Sequence, residues 1–208
     1  RIRRPSARIF CSAELFTICR YAMFSEVYWH KTVRALHAMV AYAAEKYVER
    51  LSFDKFLSLV FASSDERIFD GLLNSSIPEV KEIVENIKNR RIYKEVVIFR
   101  NDNNDPESQA VYNAVSKLRW GSNTENYKKI KKRLVENLRT SYHLTNFSEH
   151  HIIIDVPNPD KDKIGNINII SEDEDVCQPI NVVSPLWKSI GDNFETWVRK
   201  VRFYVDPK

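Results

Sequence analysis

The sequence changes pattern near residue 143, and that change limits the folds open to it. Before this point, apolar residues recur at the three- and four-residue spacing of helices that bury one face. After it, "HHIIIDVP" (150–157), "IGNINII" (164–170) and "INVV" (180–183) are short β-branched runs between polar turns, the pattern of strands. A chain of long helices followed by short strands is α+β, mainly α.

The helical part reads in segments. Residues 12–49 form one long helix or two with a break, with Ser12 as N-cap. Leu15, Ile18, Cys19, Ala22, Met23, Val27, Val33, Leu36, Met39, Val40 and Ala43 supply its buried side. "FDKFLSLVF" (53–61) reads as a short buried helix, and "SSDERIFDGLL" as another capped by Ser64 or Asp65. "SIPEVKEIVENIKNRRIY" places Pro78 in a first helical turn, with acidic residues early and basic ones late, an order that suits the helix dipole. "KEVVIF" is a strand, and "RNDNNDPES" (100–108) is a polar loop at the best candidate boundary. The expected division is a helical part, residues 1–95, and an α+β part, residues 96–208. In the second part "TENYKKIKKRLVENLRTSY" is a basic helix, "SEDED" (171–175) a solvated turn, "SPLWKSIGDNF" a capped helix and "WVRKVRFYV" a closing strand.

Composition excludes several classes. With only four glycines the chain has neither GxGxxG nor GxxxxGK, so no glycine loop cradles phosphate. A formal charge of +4 is too weak to imply nucleic acid by itself, yet suits an anionic ligand. Cys11, Cys19 and Cys177 are too scattered for a zinc site and read as free thiols in a reducing, cytoplasmic setting. No apolar run reaches the ~20 residues needed to span a bilayer. The basic start "RIRRPSARIF" has no apolar signal core behind it and no initiator Met, so the chain is expected to be a fragment of a longer one.

The stretch "RYAMFSEVYWHKTVRA" (20–35) concentrates cationic and aromatic residues. On an unbroken α-helix Arg20, Phe24, Tyr28 and Lys31 share one stripe, with Arg20 and Lys31 roughly 16 Å apart along the axis. That is the reach of an extended nucleoside triphosphate. Arg offers a forked donor set to phosphate oxygens, Lys a mobile charge, and the rings a surface for a base or sugar. The plain alternative is core packing, with the charged ends reaching to water. His30 lies off the stripe and reads as a structural, hydrogen-bonded residue. His150 and His151 open a strand, where neighbours point to opposite faces and cannot share a metal.

"CRYAMFSEVYWHKTVRALHAMV" resembles the helix that follows the metal site in HD-domain phosphohydrolases of the deoxynucleoside triphosphate triphosphohydrolase type. Arg20 and Tyr28-Trp29-His30-Lys31 match that family's spacing of an Arg and a Tyr-x-His-Lys. The segments "SSDERIFDGLLNSSIPEVKEIVENIKNRRIYKEV" and "HHIIIDVPNP…VRFYVDP" resemble later parts of the family in the same order. The resemblance implies that Arg20 contacts substrate phosphate, Tyr28 packs on sugar or base, Lys31 adds charge, and His30 acts indirectly through conformation. Phe24 stands where the family carries a polar His, and Trp29 replaces a smaller polar residue, which suits a looser phosphohydrolase subgroup. The family's divalent metal is held by a His, a His-Asp pair and a distant Asp. No "HD" dipeptide occurs here, so the chain is expected to bind no metal and the ligands to precede Arg1. The implied partners are a nucleotide or phosphoester substrate, the missing HD part, and further copies in a homo-oligomer. A second reading is a non-catalytic module that binds nucleotide or nucleic acid through Lys128, Lys129, Lys131, Lys132 and Arg133, whose plain alternative is a solvated basic face.

Overall fold

The computed structural model describes residues 7–61, 64–120, 124–158, 168–171, 174–179, 182, 184–188 and 198–207. Helix α1 (Ala7–Met23) runs into a π-helical turn (Phe24–Tyr28), and after a break α2 (Lys31–Arg50) begins. Helices α3 (Phe53–Phe61), α4 (Asp65–Leu73) and α5 (Pro78–Lys88) follow. Strand β1 (Lys94–Arg100) precedes α6 (Pro106–Trp120), α7 (Thr124–Tyr142), a 3-10 turn (Glu149–His151) and β2 (Ile152–Asp155). Strands β3 (Asn168–Ser171) and β4 (Glu174–Pro179) form a hairpin, and β5 (Lys200–Val205) closes the main sheet. The fold is α+β and mainly helical, as the sequence pattern predicts.

The main sheet has the order β1-β5-β2, all antiparallel, so the last strand is its centre. Side chains alternate across β5. Tyr204 faces the helices and joins a core built by Ala35, Met39 and Ala43 of α2, Val80, Ile83 and Val84 of α5, and Ile153 of β2. Val201 faces the other way, toward Tyr112 of α6. The positions 80, 83, 84 and 87 in α5 give the one-sided stripe that lets this helix lie flat on α2.

Several expectations need correction. Ser12 lies inside α1 and does not cap it. Leu15, Ile18, Cys19, Ala22, Met23 and Val27 are exposed; only from α2 onward does the expected stripe reach the core, at Met39 and Ala43. Helix α3 forms where expected, but none of its residues is buried and Phe61 is 83% exposed. Ser64 occupies the N-cap position of α4 without a side-chain capping bond. Glu174 and Asp175 belong to β4 rather than to a turn. Apart from Val182, which is helical, "INVV" lies outside the described residues, as does "SIGDNF" of the capped helix; Ser184 Oγ does accept the Trp187 N–H, at 3.0 Å.

Helix α6 is an element the sequence reading lacks. Asp105 accepts the Ser108 N–H at 3.0 Å, and Pro106 occupies the first turn, a standard start for a helix. Among the described residues no helix is long and apolar enough to cross a membrane.

Candidate functional site

The junction between α1 and α2 is tied down by the sheet. Trp29 donates its backbone N–H to the Phe24 carbonyl, five residues back, at 2.9 Å. This widens the last turn and ends α1. Trp29 itself is buried, with the Arg34 guanidinium 4.5 Å and that of Arg202 5.9 Å from its ring. Arg202 also donates to the Trp29 carbonyl, at 3.0 Å, and to Glu95, at 2.9 Å. Arg34 grips both carboxylate oxygens of Asp155, at 2.8 and 2.5 Å, and the Tyr204 hydroxyl donates to the Lys31 carbonyl. Asp155 is the acid of "IIIDVP", so the C-terminal strands fix where the N-terminal helix breaks.

His30 caps α2 by accepting the Thr32 N–H on Nδ1, at 3.3 Å. His30→Ala is expected to lower stability by about 0.5–1 kcal/mol, read by urea denaturation; His30→Asn, which keeps an acceptor, is expected to restore most of it.

On the open side of this junction lies a groove of about 740 Å³. Arg20, Phe24 and Tyr28 line it, together with Phe16, Cys19 and Met23. The Arg20 guanidinium sits 5.7 Å from the Phe24 ring, and the Phe24 and Tyr28 rings are 5.2 Å apart. Arg20 and Tyr28 are exposed, and among the described residues no carboxylate pairs with Arg20. The groove thus presents a guanidinium at one edge of an aromatic ledge. An anion on the fork and a flat apolar group on the ledge are the chemistry it suits. Lys31 and His30 lie outside this lining, because the π-turn and the break rotate α2 away from the azimuth an unbroken helix would give. Trp29, Arg34 and His37 line both this groove and a second, smaller cavity behind it.

His150 and His151 correct another expectation. They lie in the 3-10 turn before β2, not in the strand. Ser148 starts that turn through a reciprocal capping box: its side chain takes the His151 backbone N–H, while its own N–H goes to His151 Nδ1, at 2.8 Å. The two imidazoles end up side by side, with centroids 4.1 Å apart, facing Glu82 of α5.

Glu82, His150 and His151 place three potential ligand atoms within 4.8 Å of one another. The hydrogen bond on His151 works against its serving as a metal ligand. His151 Nδ1 accepts a backbone N–H, so in the neutral ring the proton is on Nε2, the atom facing Glu82. A ligating imidazole needs the opposite arrangement, with its outer nitrogen as donor. Paired with Glu82 Oε2 at 2.9 Å, His150 makes the group a carboxylate held between imidazoles.

Comparison with known proteins gives one family match: the chain fits the model described as "HD associated region" over residues 9–197. A search of curated proteins returns no match. The match covers the α1–α2 junction that carries Arg20 and Tyr28 together with strands β1 and β2, and ends before β5, so the chain belongs to the HD associated region family, the segment that accompanies HD domains.

Proposed function

We propose that the chain forms one wall of the substrate pocket of a cytoplasmic HD-domain phosphohydrolase acting on nucleotides or related phosphate esters. Arg20 takes phosphate oxygens, Phe24 and Tyr28 carry the sugar or base, and Lys31, outside the groove lining, adds positive charge beyond it. The observation that carries this reading is the open groove in which an exposed Arg20, with no carboxylate partner among the described residues, edges a two-ring ledge. In such an enzyme a bound divalent metal lowers the pKa of a water and offsets charge on the attacked phosphorus. Those ligands belong to the HD part; this chain orients the phosphate and excludes water from one side. The test is turnover of deoxynucleoside triphosphates with Mg²⁺ or Mn²⁺. The expected result is turnover by the protein carrying its HD part and none by residues 1–208 alone; robust turnover by the 208-residue chain contradicts the division of roles.

The exposed apolar residues of α1 support the same reading. Leu15, Phe16 and Ile18 make a face that a lone chain leaves in water, and patches of that kind mark association sites. The chain without its HD part is expected to self-associate in light scattering, and Leu15→Lys/Ile18→Lys to shift it to monomer. A clean monomer before substitution counts against a covered face.

A further inference from the structure

Helix α7 places one lysine where its neighbours place apolar residues. Tyr127, Lys131, Leu134, Val135 and Leu138 share a stripe, and Lys131 is only 7% exposed. Its Nζ lies 4.2 Å from the Tyr42 ring, and among the described residues no carboxylate is within ion-pair distance of it. A ring face offsets only part of the cost of removing an ammonium from water. The side chain lines a cavity of about 330 Å³ between α2, α6, α7 and β2.

The other cations of this cavity are already taken. Arg34 is held by both oxygens of Asp155, and Arg119 by both oxygens of Glu45, at 3.3 and 2.9 Å. Lys46 and Lys128 each turn to Glu49, at 2.8 Å. Lys131 is left as a buried charge facing an aromatic-walled space that the Glu149 side chain also lines. We propose that this cavity is a second anion site, distinct from the groove of Arg20, which takes a small phosphomonoester or free phosphate with its oxygens on Lys131 and its remainder against Tyr42 and Tyr127.

Burial holds the Lys131 ammonium down to about 8, from 10.5, with the charges of Glu149, Lys46, Glu45 and Arg119 as smaller, partly cancelling influences; Tyr42 stays neutral. Above pH 8 the empty site therefore loses its proton, and phosphate affinity is expected to fall. Across that same window the unfolded chain binds the extra proton, so stability without ligand rises from about pH 8 to 10.5.

The experiment is thermal denaturation of the full chain with inorganic phosphate or phenyl phosphate against sodium chloride at equal ionic strength. Native protein is expected to show a saturable rise in midpoint. Lys131→Met should raise the ligand-free midpoint, because it removes an unpaired buried charge, and weaken phosphate by about tenfold or more. The exposed Lys129→Met should keep the native response. Stabilisation by both probes assigns a monoester site, and by inorganic phosphate alone a free-phosphate site. No saturable response, or an equal response in Lys131→Met, overturns the proposal. Arg20→Ala should leave this response intact, so failure here is separable from failure of the pocket-wall reading.

Discussion

Arg34→Ala is expected to destabilise the protein by about 3–5 kcal/mol, a large share of the roughly 5–15 kcal/mol that holds a domain folded. The side chains of Arg34 and Asp155 are only 18% and 8% exposed, so truncating one leaves the other charged, buried and alone. Trp29 also loses the guanidinium on its ring, at the point where α1 gives way to α2. Urea denaturation measures the loss, and the thermal midpoint is expected to fall by roughly 10 °C. Arg34→Met/Asp155→Leu should recover most of it, because a buried ion pair replaced on both sides by apolar groups is often neutral. A double variant as unstable as Arg34→Ala would mean that the contact with Trp29, rather than the ion pair, carries the junction.

The second large effect concerns turnover. On the proposed pocket-wall reading, Arg20→Ala in a longer protein that carries an HD part is expected to lower kcat/KM toward deoxynucleoside triphosphates by about 10²-fold, the scale lost with one well-placed donor to a charged oxygen. Arg20→Lys should recover only part, since an ammonium keeps the charge but not the fork. Stability should barely move, because Arg20 is exposed and pairs with no carboxylate among the described residues. A loss of folding alongside the loss of turnover would instead make Arg20 a packing residue.

Much of the fold was legible because local signals agreed with tertiary structure. Pro78 with Glu79 marks the start of α5, and the alternation in "KEVVIFR" marks β1. The burial of α1 was not legible, because an apolar stripe reports a face that wants covering and not what covers it. Helix α6 escaped notice because its buried Tyr112 follows a polar loop; the usable signal was Asp105 before Pro106. The two histidines were misplaced because a Ser at 148 and a His at 151 form a capping box with an unusual third residue, His in place of Glu or Gln.

Of the candidate site, the sequence placed Arg20, Phe24 and Tyr28 within one stretch, and they share one groove. Lys31 shares the stretch but not the groove, since no spacing rule announced the π-turn. Arg34 and Asp155 are 121 residues apart and carried no local sign of pairing. Lys131 did carry one: a lysine on the apolar stripe of its own helix. The sequence groups it with Lys128, Lys129, Lys132 and Arg133 as a binding or solvated basic face, but only those four are on the exposed side.

The pocket-wall account is tested most directly by arginine footprinting of the protein with its HD part. Phenylglyoxal should label the exposed Arg20 readily, and a non-hydrolysable deoxynucleoside triphosphate analogue with Mn²⁺ should protect it, while the exposed Arg133 labels equally with and without the analogue. Equal labelling of Arg20 in both states, at an analogue concentration that blocks turnover, would place the bound phosphates elsewhere and contradict the account.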